Sequence, residues 1–571
     1  MVNETYTYSR LGNPSAKPFR VLILQQGTGP DVNIILTEAS LDSEIEFEAL
    51  SYTWGSPKEP HFVQCNGKNL KVTKNCKEAL RHLRTTQPRT LWVDAVCIDQ
   101  SMHEERNQQV TMMQEIYEKA ARVVIWLGTP STEVEVAMSA VKLLADMLRK
   151  ETNVQPEHDG FRELVNYKGV MEPAFTAMAD LPWWRRVWVV QEVYASSSAV
   201  VKCGASEVPW VDFEELASWI IFAGVKRFPV HIGLVAQRVG AMTCLKGRRS
   251  DLPTALAAYE NQEATDPRDK IFALQGLLHE SSRTRVDYLL TTEDILIQAS
   301  KRCLDVTNSF DALRPWDFSH RDEAEGRTNS LYRSLPSWVR DVSVPRIGNK
   351  VEIYPHFSAS RQSKPLYRFE GRRLVIRCKP FDKISHCGAF MNRDPAELFI
   401  PAVRMWRIVV LSLRHYPTGE CLSDVFRHLL TSLSPSLGKE RDGESQAFTR
   451  STFQTWISTI GFEKSPTEAE AAVRRDKTLG LLEDLLDVPI GFCVCTTAKS
   501  FVGAVPPTAR PQDIIAIPAG SSKPYVFREN SDGTFKMLGP CYVHGIMLGE
   551  YWTKRGGGEV AESDLQEITI V

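Results

Sequence analysis

The chain has 571 residues, 43% hydrophobic and 24% charged, with a formal net charge of −2. That length exceeds what one hydrophobic core supports, so several domains of an ordinary folded protein are expected. The near balance of 68 Lys+Arg against 70 Asp+Glu leaves no basic stripe for nucleic acid and no attraction to an anionic membrane surface.

The opening MVNETYTYSRLG lacks a basic segment followed by an apolar one, so no secretory leader is expected. Phe19–Gln25 and Asn33–Thr37 read as strands around a Gly27–Pro30 turn, and Phe47–Trp54 as a third. Asn66-Gly67 predicts a type I′ hairpin between Phe62–Cys65 and Leu70–Val72. Asn75–Arg84 places Cys76, Ala79, Leu80 and Leu83 on one helical face. Leu91–Ile98 reads as a strand buried on both sides, and Ser101–Glu104 as a capping box opening the next helix. Val123–Leu127 is a further buried strand, followed by a helix over Ser131–Lys150 and another ending near Ala195. This alternation predicts an α/β domain over 18–200.

A helical segment is expected over 201–330, with helices at Asp212–Val225, Pro253–Ala258, Asp266–Leu278 and Ile295–Leu304. Residues 331–571 read as mixed α/β, with a small β module from Tyr367–Ile384 and Gly491–Trp552 and a mobile insertion at 432–450. Phe399–Leu413 contains Arg404 and Arg407, so no membrane span is expected. The 12 cysteines show no paired zinc spacing; Cys493 and Cys495 only place two thiols on one strand face. A reduced, cytoplasmic protein without a bound metal is the expectation.

Three stretches carry the chemistry: Ala49–Gly55 (ALSYTWG), Leu91–Gln100 (LWVDAVCIDQ) and Arg186–Val193 (RVWVVQEV). Each delivers polar and aromatic residues to one edge of a buried element. Ligands of open parallel sheets gather beyond the carboxyl ends of strands, which puts Ser51–Gly55 and Asp99–Gln100 near one rim. Asp94 reads as mid-strand, and a carboxylate there costs several kcal/mol, roughly, unless it is paired. Asp99 either serves the rim or caps the following helix. Tyr52, Trp54 and Trp188 either stack on a planar ring or fill the core. Arg106 and Gln109 stand in the first turns of a helix, where they cradle a phosphate or face solvent. Asp266–Lys270 reads as a structural charge pair, and His544 as a core imidazole.

These motifs, in this order, resemble the fungal heterokaryon-incompatibility (HET) domain, and the resemblance runs from Ala49 to Glu192. Asp266–Leu278 (DPRDKIFALQGLL), Leu335–Asp341 (LPSWVRD), Arg510–Asp513 and Cys541–Gly545 are similar to the tails of long members. The resemblance implies nonself recognition between hyphae, programmed cell death, and protein partners in that signalling. It also implies a TIR-like, flavodoxin-like parallel sheet, whose relatives include death-signalling scaffolds and NAD-cleaving enzymes.

In that comparison Arg186–Glu192 is similar to the segment where enzymatic TIR domains carry a Trp-Cys pair before a catalytic glutamate. This chain has Trp188 and Glu192, with Val189 at the cysteine's place. Glu192 is the catalytic candidate, with Ser51, Tyr52, Trp54, Asp99, Gln100, Arg106 and Trp188 as substrate-binding candidates. NAD is then a substrate, and no cofactor is needed. The competing readings are an ion pair of Glu192 with Arg185 or Arg186, and a non-enzymatic scaffold acting by self-association.

Overall fold

The computed structural model describes residues 4–56, 58–150, 168–225, 228–313, 334–342, 357–390, 399–431, 450–475, 491–552, 560 and 562–571. Packing divides the chain into two units, Met1–Ile295 and Leu296–Val571. The first is mixed α/β. Its nine strands are β1 (Pro18–Leu24), β2 (Asn33–Ser40), β3 (Glu48–Tyr52), β4 (His61–Cys65), β5 (Lys68–Val72), β6 (Arg89–Trp92), β7 (Arg122–Gly128), β8 (Ala199–Cys203) and β9 (Ser206–Pro209). They form one sheet in the order β5-β4-β2-β1-β6-β3-β7-β8-β9. Its centre, β6-β3-β7-β8, is parallel, and the β1–β2, β1–β6, β4–β5 and β8–β9 pairs are antiparallel.

The local reasons are readable. Asn66 and Gly67 both take positive φ (50° and 79°), as a type I′ hairpin demands. Helix α1 (Lys74–Leu83) is capped by Thr73, whose side chain accepts from the Cys76 N–H, and buries the expected face of Cys76, Ala79, Leu80 and Leu83. β7 is buried from Val123 to Leu127, between β3 and β8.

Two local expectations are corrected. The apolar run from Leu91 is a strand only to Trp92; Asp94–Cys97 is a helical turn, α2. The Ala95 N–H donates to Asp94 Oδ1 (2.7 Å) and the Cys97 N–H to the Val93 carbonyl (2.7 Å), so the backbone turns as soon as the aspartate is reached. Asp94 therefore stands at the carboxyl end of β6 rather than inside it. The capping box does not form either: α3 (His103–Lys119) has Met102 as its N-cap, without a side-chain bond. Ser101 Oγ donates to Asp99 instead (2.6 Å), and Glu105 accepts from the Asp99 N–H (2.7 Å) while paired with buried Arg20 (2.6 Å).

The remaining helices of this unit are α4 (Thr132–Lys150), α5 (Lys168–Ala179), α6 (Trp188–Ala195), α7 (Trp210–Ala223), α8 (Val230–Thr243), α9 (Leu252–Ala258) and the short α10 (Asp269–Phe272). The helix expected over Asp266–Leu278 is thus reduced to α10 and a 3-10 turn at Gln275–Leu277. Asp266 is drawn into a chelate with Arg268, whose Nε and Nη2 donate to its two oxygens (2.9 and 2.7 Å).

In the second unit β10 (Tyr367–Glu370) pairs with the long β11 (Arg373–Phe390). β11 also pairs with β14 (Ile514–Pro518) and β18 (Gln566–Ile570). With β15 (Tyr525–Glu529) and β16 (Phe535–Pro540), β11, β14 and β18 close into a ring, sealed by one parallel pairing, Phe535 with Ile570. Register shifts at Pro380/Asp382 bend β11 so that its far end pairs with β12 (Cys493–Thr497), which is followed across the sheet by β13 (Val502–Val505) and β17 (Tyr542–Val543). Four helices, Phe399–Leu411, Leu422–Thr431, Arg450–Thr459 and Pro466–Arg475, pack a core around Trp406 and Trp456. Residues 432–449 of the expected insertion lie outside the described residues, and Arg450 opens a helix.

Candidate functional site

β3 runs parallel to both β6 and β7, so its carboxyl end, Ser51–Tyr52, lies beside the point where β6 turns into α2. The N-terminal part of α6 completes the cluster. Arg186, just before α6, donates from Nη1 to the Tyr52 carbonyl, 134 residues earlier in the chain. Trp54 Nε1 donates to Asp94 Oδ2 (2.8 Å), and Trp183 Nε1 to Ser51 Oγ (2.9 Å). Tyr117 of α3 donates to the Leu50 carbonyl (3.1 Å) with its ring against Trp92.

Glu192 lies within this group and is 1% exposed. Burial pushes its carboxyl up to about 7; Arg186 and the Ser51 hydroxyl pull the other way, and Asp94 reinforces the rise. Its Oε2 has no hydrogen-bond partner among the described residues. Among the described residues no ion pair closes on Glu192: Arg186 acts on it only through its charge while donating to the Tyr52 carbonyl, and Arg185 faces Asp180 at 3.7 Å. Asp94 is raised by burial as well, and held back by Arg186 and the Trp54 indole. Two carboxyls thus share one guanidinium in a desolvated setting. A carboxyl titrating near neutrality can hold or release a proton at working pH.

The structure brings Ser51, Tyr52, Trp54 and Glu192 together, and adds Asp94, Tyr117, Trp183 and Arg186. Of the other candidates Gln100 reaches only the backbone of the cluster, and the rest are engaged elsewhere. Asp99 closes a local turn on Ser101, and Gln100 donates to the Asp94 carbonyl (3.1 Å). Arg106 stacks on the Tyr288 ring (3.5 Å to the centroid), near Asp266 and Asp269. The half-buried Trp188 bonds to Asp269, which also accepts from the Tyr288 hydroxyl (2.6 Å). Asp94 was legible as a carboxylate in an apolar run; Arg186 was legible only as a charge near Glu192.

Residues 47–192 match the family model described as Heterokaryon incompatibility protein (HET). The chain carries a HET domain. Over 210 residues it is 30% identical to Heterokaryon incompatibility protein 6, OR allele, of Neurospora crassa, a match covering 30% of this chain and 31% of that relative. The match thus spans about a third of the relative's length. No solved structure matches the chain. Every residue of the cluster falls inside the HET domain, whose matched range ends at Glu192 itself, while β1, β2, β8 and β9 complete the sheet from outside it. Among the described residues no group of three or more His, Cys, Asp or Glu has metal-holding geometry, and no helix is long and apolar enough to cross a membrane.

Proposed function

We propose that this protein acts in fungal heterokaryon incompatibility, as an effector or regulator of nonself-triggered cell death in the cytoplasm. Its HET domain does so by cleaving the N-glycosidic bond of NAD on a TIR-like sheet. The observation that carries this reading is Glu192, a buried carboxyl pushed up to about 7 whose Oε2 has no hydrogen-bond partner among the described residues, beside the Ser51–Tyr52 end of the first parallel strand. The four central parallel strands, β6-β3-β7-β8, stand in the order second, first, third, fourth along the chain, the order of a flavodoxin-like sheet through four strands.

In the cleavage, the electron pair of the bond between ribose C1′ and the pyridinium nitrogen leaves with nicotinamide, which departs neutral. The Glu192 carboxylate stabilises the oxocarbenium-like ribose. Water then adds at C1′ and gives up a proton, so NAD and water yield nicotinamide, ADP-ribose and a proton. Trp54, whose indole is partly exposed, is the stacking partner, and Ser51 orients Glu192.

A second reading, a scaffold acting by self-association and protein partners, is favoured by one observation. Glu192 is 1% exposed, while Phe222 on α7 and Val230 on α8 are 93% and 79% exposed. Expression of the full chain and of Glu192→Gln in hyphae separates the two. Cleavage predicts that death and NAD loss disappear together in the variant; undiminished death with a folded variant favours the scaffold.

A further inference from the structure

The cluster is layered by exposure. Ser51, Tyr52 and Glu192 are sealed at 0–1%, whereas Trp54 is 36% exposed, Asp94 9%, and Arg186 half-buried. The Trp54 indole is therefore its exposed group, with Arg186 half-buried and Asp94 nearly sealed. Each has capacity left over. An ionised carboxylate offers about four acceptor positions; Asp94 accepts from the Trp54 indole and the Ala95 N–H and is also held down by the Tyr52 hydroxyl, which leaves about one. A guanidinium has five N–H donors, and Arg186 commits one, to the Tyr52 carbonyl. Trp54 is held edge-on by its bond to Asp94, which fixes the ring while leaving part of its surface in solvent.

We propose that Trp54, Asp94 and Arg186 are the recognition layer for a ribonucleotide bearing a diphosphate. The planar ring stacks on Trp54, a ribose hydroxyl donates to Asp94, and Arg186 takes phosphate oxygens in a forked pair of bonds. Asp94 and Arg186 were not among the residues expected to bind substrate. The inference rests on the cleavage reading for the identity of the site, but binding does not require turnover.

The test is calorimetric titration of the full chain with ADP-ribose, which has no nicotinamide bond to cleave, with ribose and inorganic phosphate as partial probes. Binding of ADP-ribose is expected, weakened roughly ten- to hundredfold in Asp94→Asn and in Arg186→Gln. Trp54→Ala, checked for an intact fold because it removes a donor from Asp94, is expected to weaken it too, and Trp54→Phe less so. Arg186→Lys separates roles: a mere counter-charge is restored by lysine, whereas forked phosphate binding is not.

No ADP-ribose binding by the folded wild-type chain, or affinity unchanged in Trp54→Ala and Asp94→Asn, overturns the proposal. If NAD is cleaved with an unchanged KM in those variants, recognition fails and cleavage stands. If ADP-ribose binds with the expected dependence and NAD is never cleaved, cleavage fails and recognition stands.

Discussion

Replacing Glu192 by glutamine makes the strongest physical prediction, because it removes a titration while nearly conserving shape. Burial raises the folded carboxyl from an ordinary 4.5 to about 7. The folded state therefore keeps a proton that the unfolded chain releases. The wild type is fully stabilised below about pH 4.5 and loses stability as pH rises towards about 7, after which the loss is complete. A gap of about 2.5 pH units at about 1.4 kcal/mol each gives a total of about 3 kcal/mol. The amide of Glu192→Gln has no such dependence. Urea unfolding of both chains from pH 4.5 to 8, with hydrogen exchange of α6 peptides reporting the first unit, should show the variant gaining about 3 kcal/mol relative to wild type as pH rises. Asp94 is also raised and present in both chains, so the part of its shift due to burial cancels and only its coupling to Glu192 enters the difference. Parallel stability curves, or a variant that loses ground at high pH, would refute the reasoning.

Three further substitutions test the scaffold around the site. Arg20 is 2% exposed and bonds to Glu105, Cys97 and Ser9, so Arg20→Met should cost about 3–5 kcal/mol in chemical denaturation by stranding Glu105. Trp183→Phe keeps an aromatic ring but strips Ser51 of its indole donor, and a loss of about 1–3 kcal/mol is expected by the same measurement. In the second unit Gly520 has φ 76°, and a Cβ there would collide with the Pro365 nitrogen. Gly520→Ala should therefore lower the thermal midpoint of that unit, at a cost of at least about 1 kcal/mol, without altering NAD loss.

Local signals were reliable where one interaction decides the backbone. Asn66-Gly67 dictates its hairpin, and the α1 face follows from the spacing of Cys76, Ala79, Leu80 and Leu83. Apolar runs were less informative, since a short one suits a buried strand and a buried helical turn equally. At Leu91–Ile98 the decision fell to the Asp94 side chain, which holds the Ala95 N–H and starts α2. Helix α8 went unread although Ile232, Val235, Ala236, Val239 and Met242 share one face. Gly233 and Gly240 weakened its helical signal, and close packing accounts for them: a Cβ would meet Val225 at 2.7 Å and Ile221 at 2.6 Å. The site was half legible. Glu192 and Ser51–Trp54 were singled out, but the turn of Arg186 towards Tyr52 arises only when α6 docks on β3. The segment leading into α6 is tied down by Glu263, whose carbonyl accepts from the Val187 N–H (2.9 Å) and whose N–H donates to the Arg185 carbonyl.

The most direct measurement is of nicotinamide and ADP-ribose released from NAD by the purified full chain, wild type beside Glu192→Gln of verified fold. The account predicts the two products in equal amounts from the wild type and none above background from the variant. Equal release by both chains, or none from a wild-type chain that kills hyphae, would contradict it.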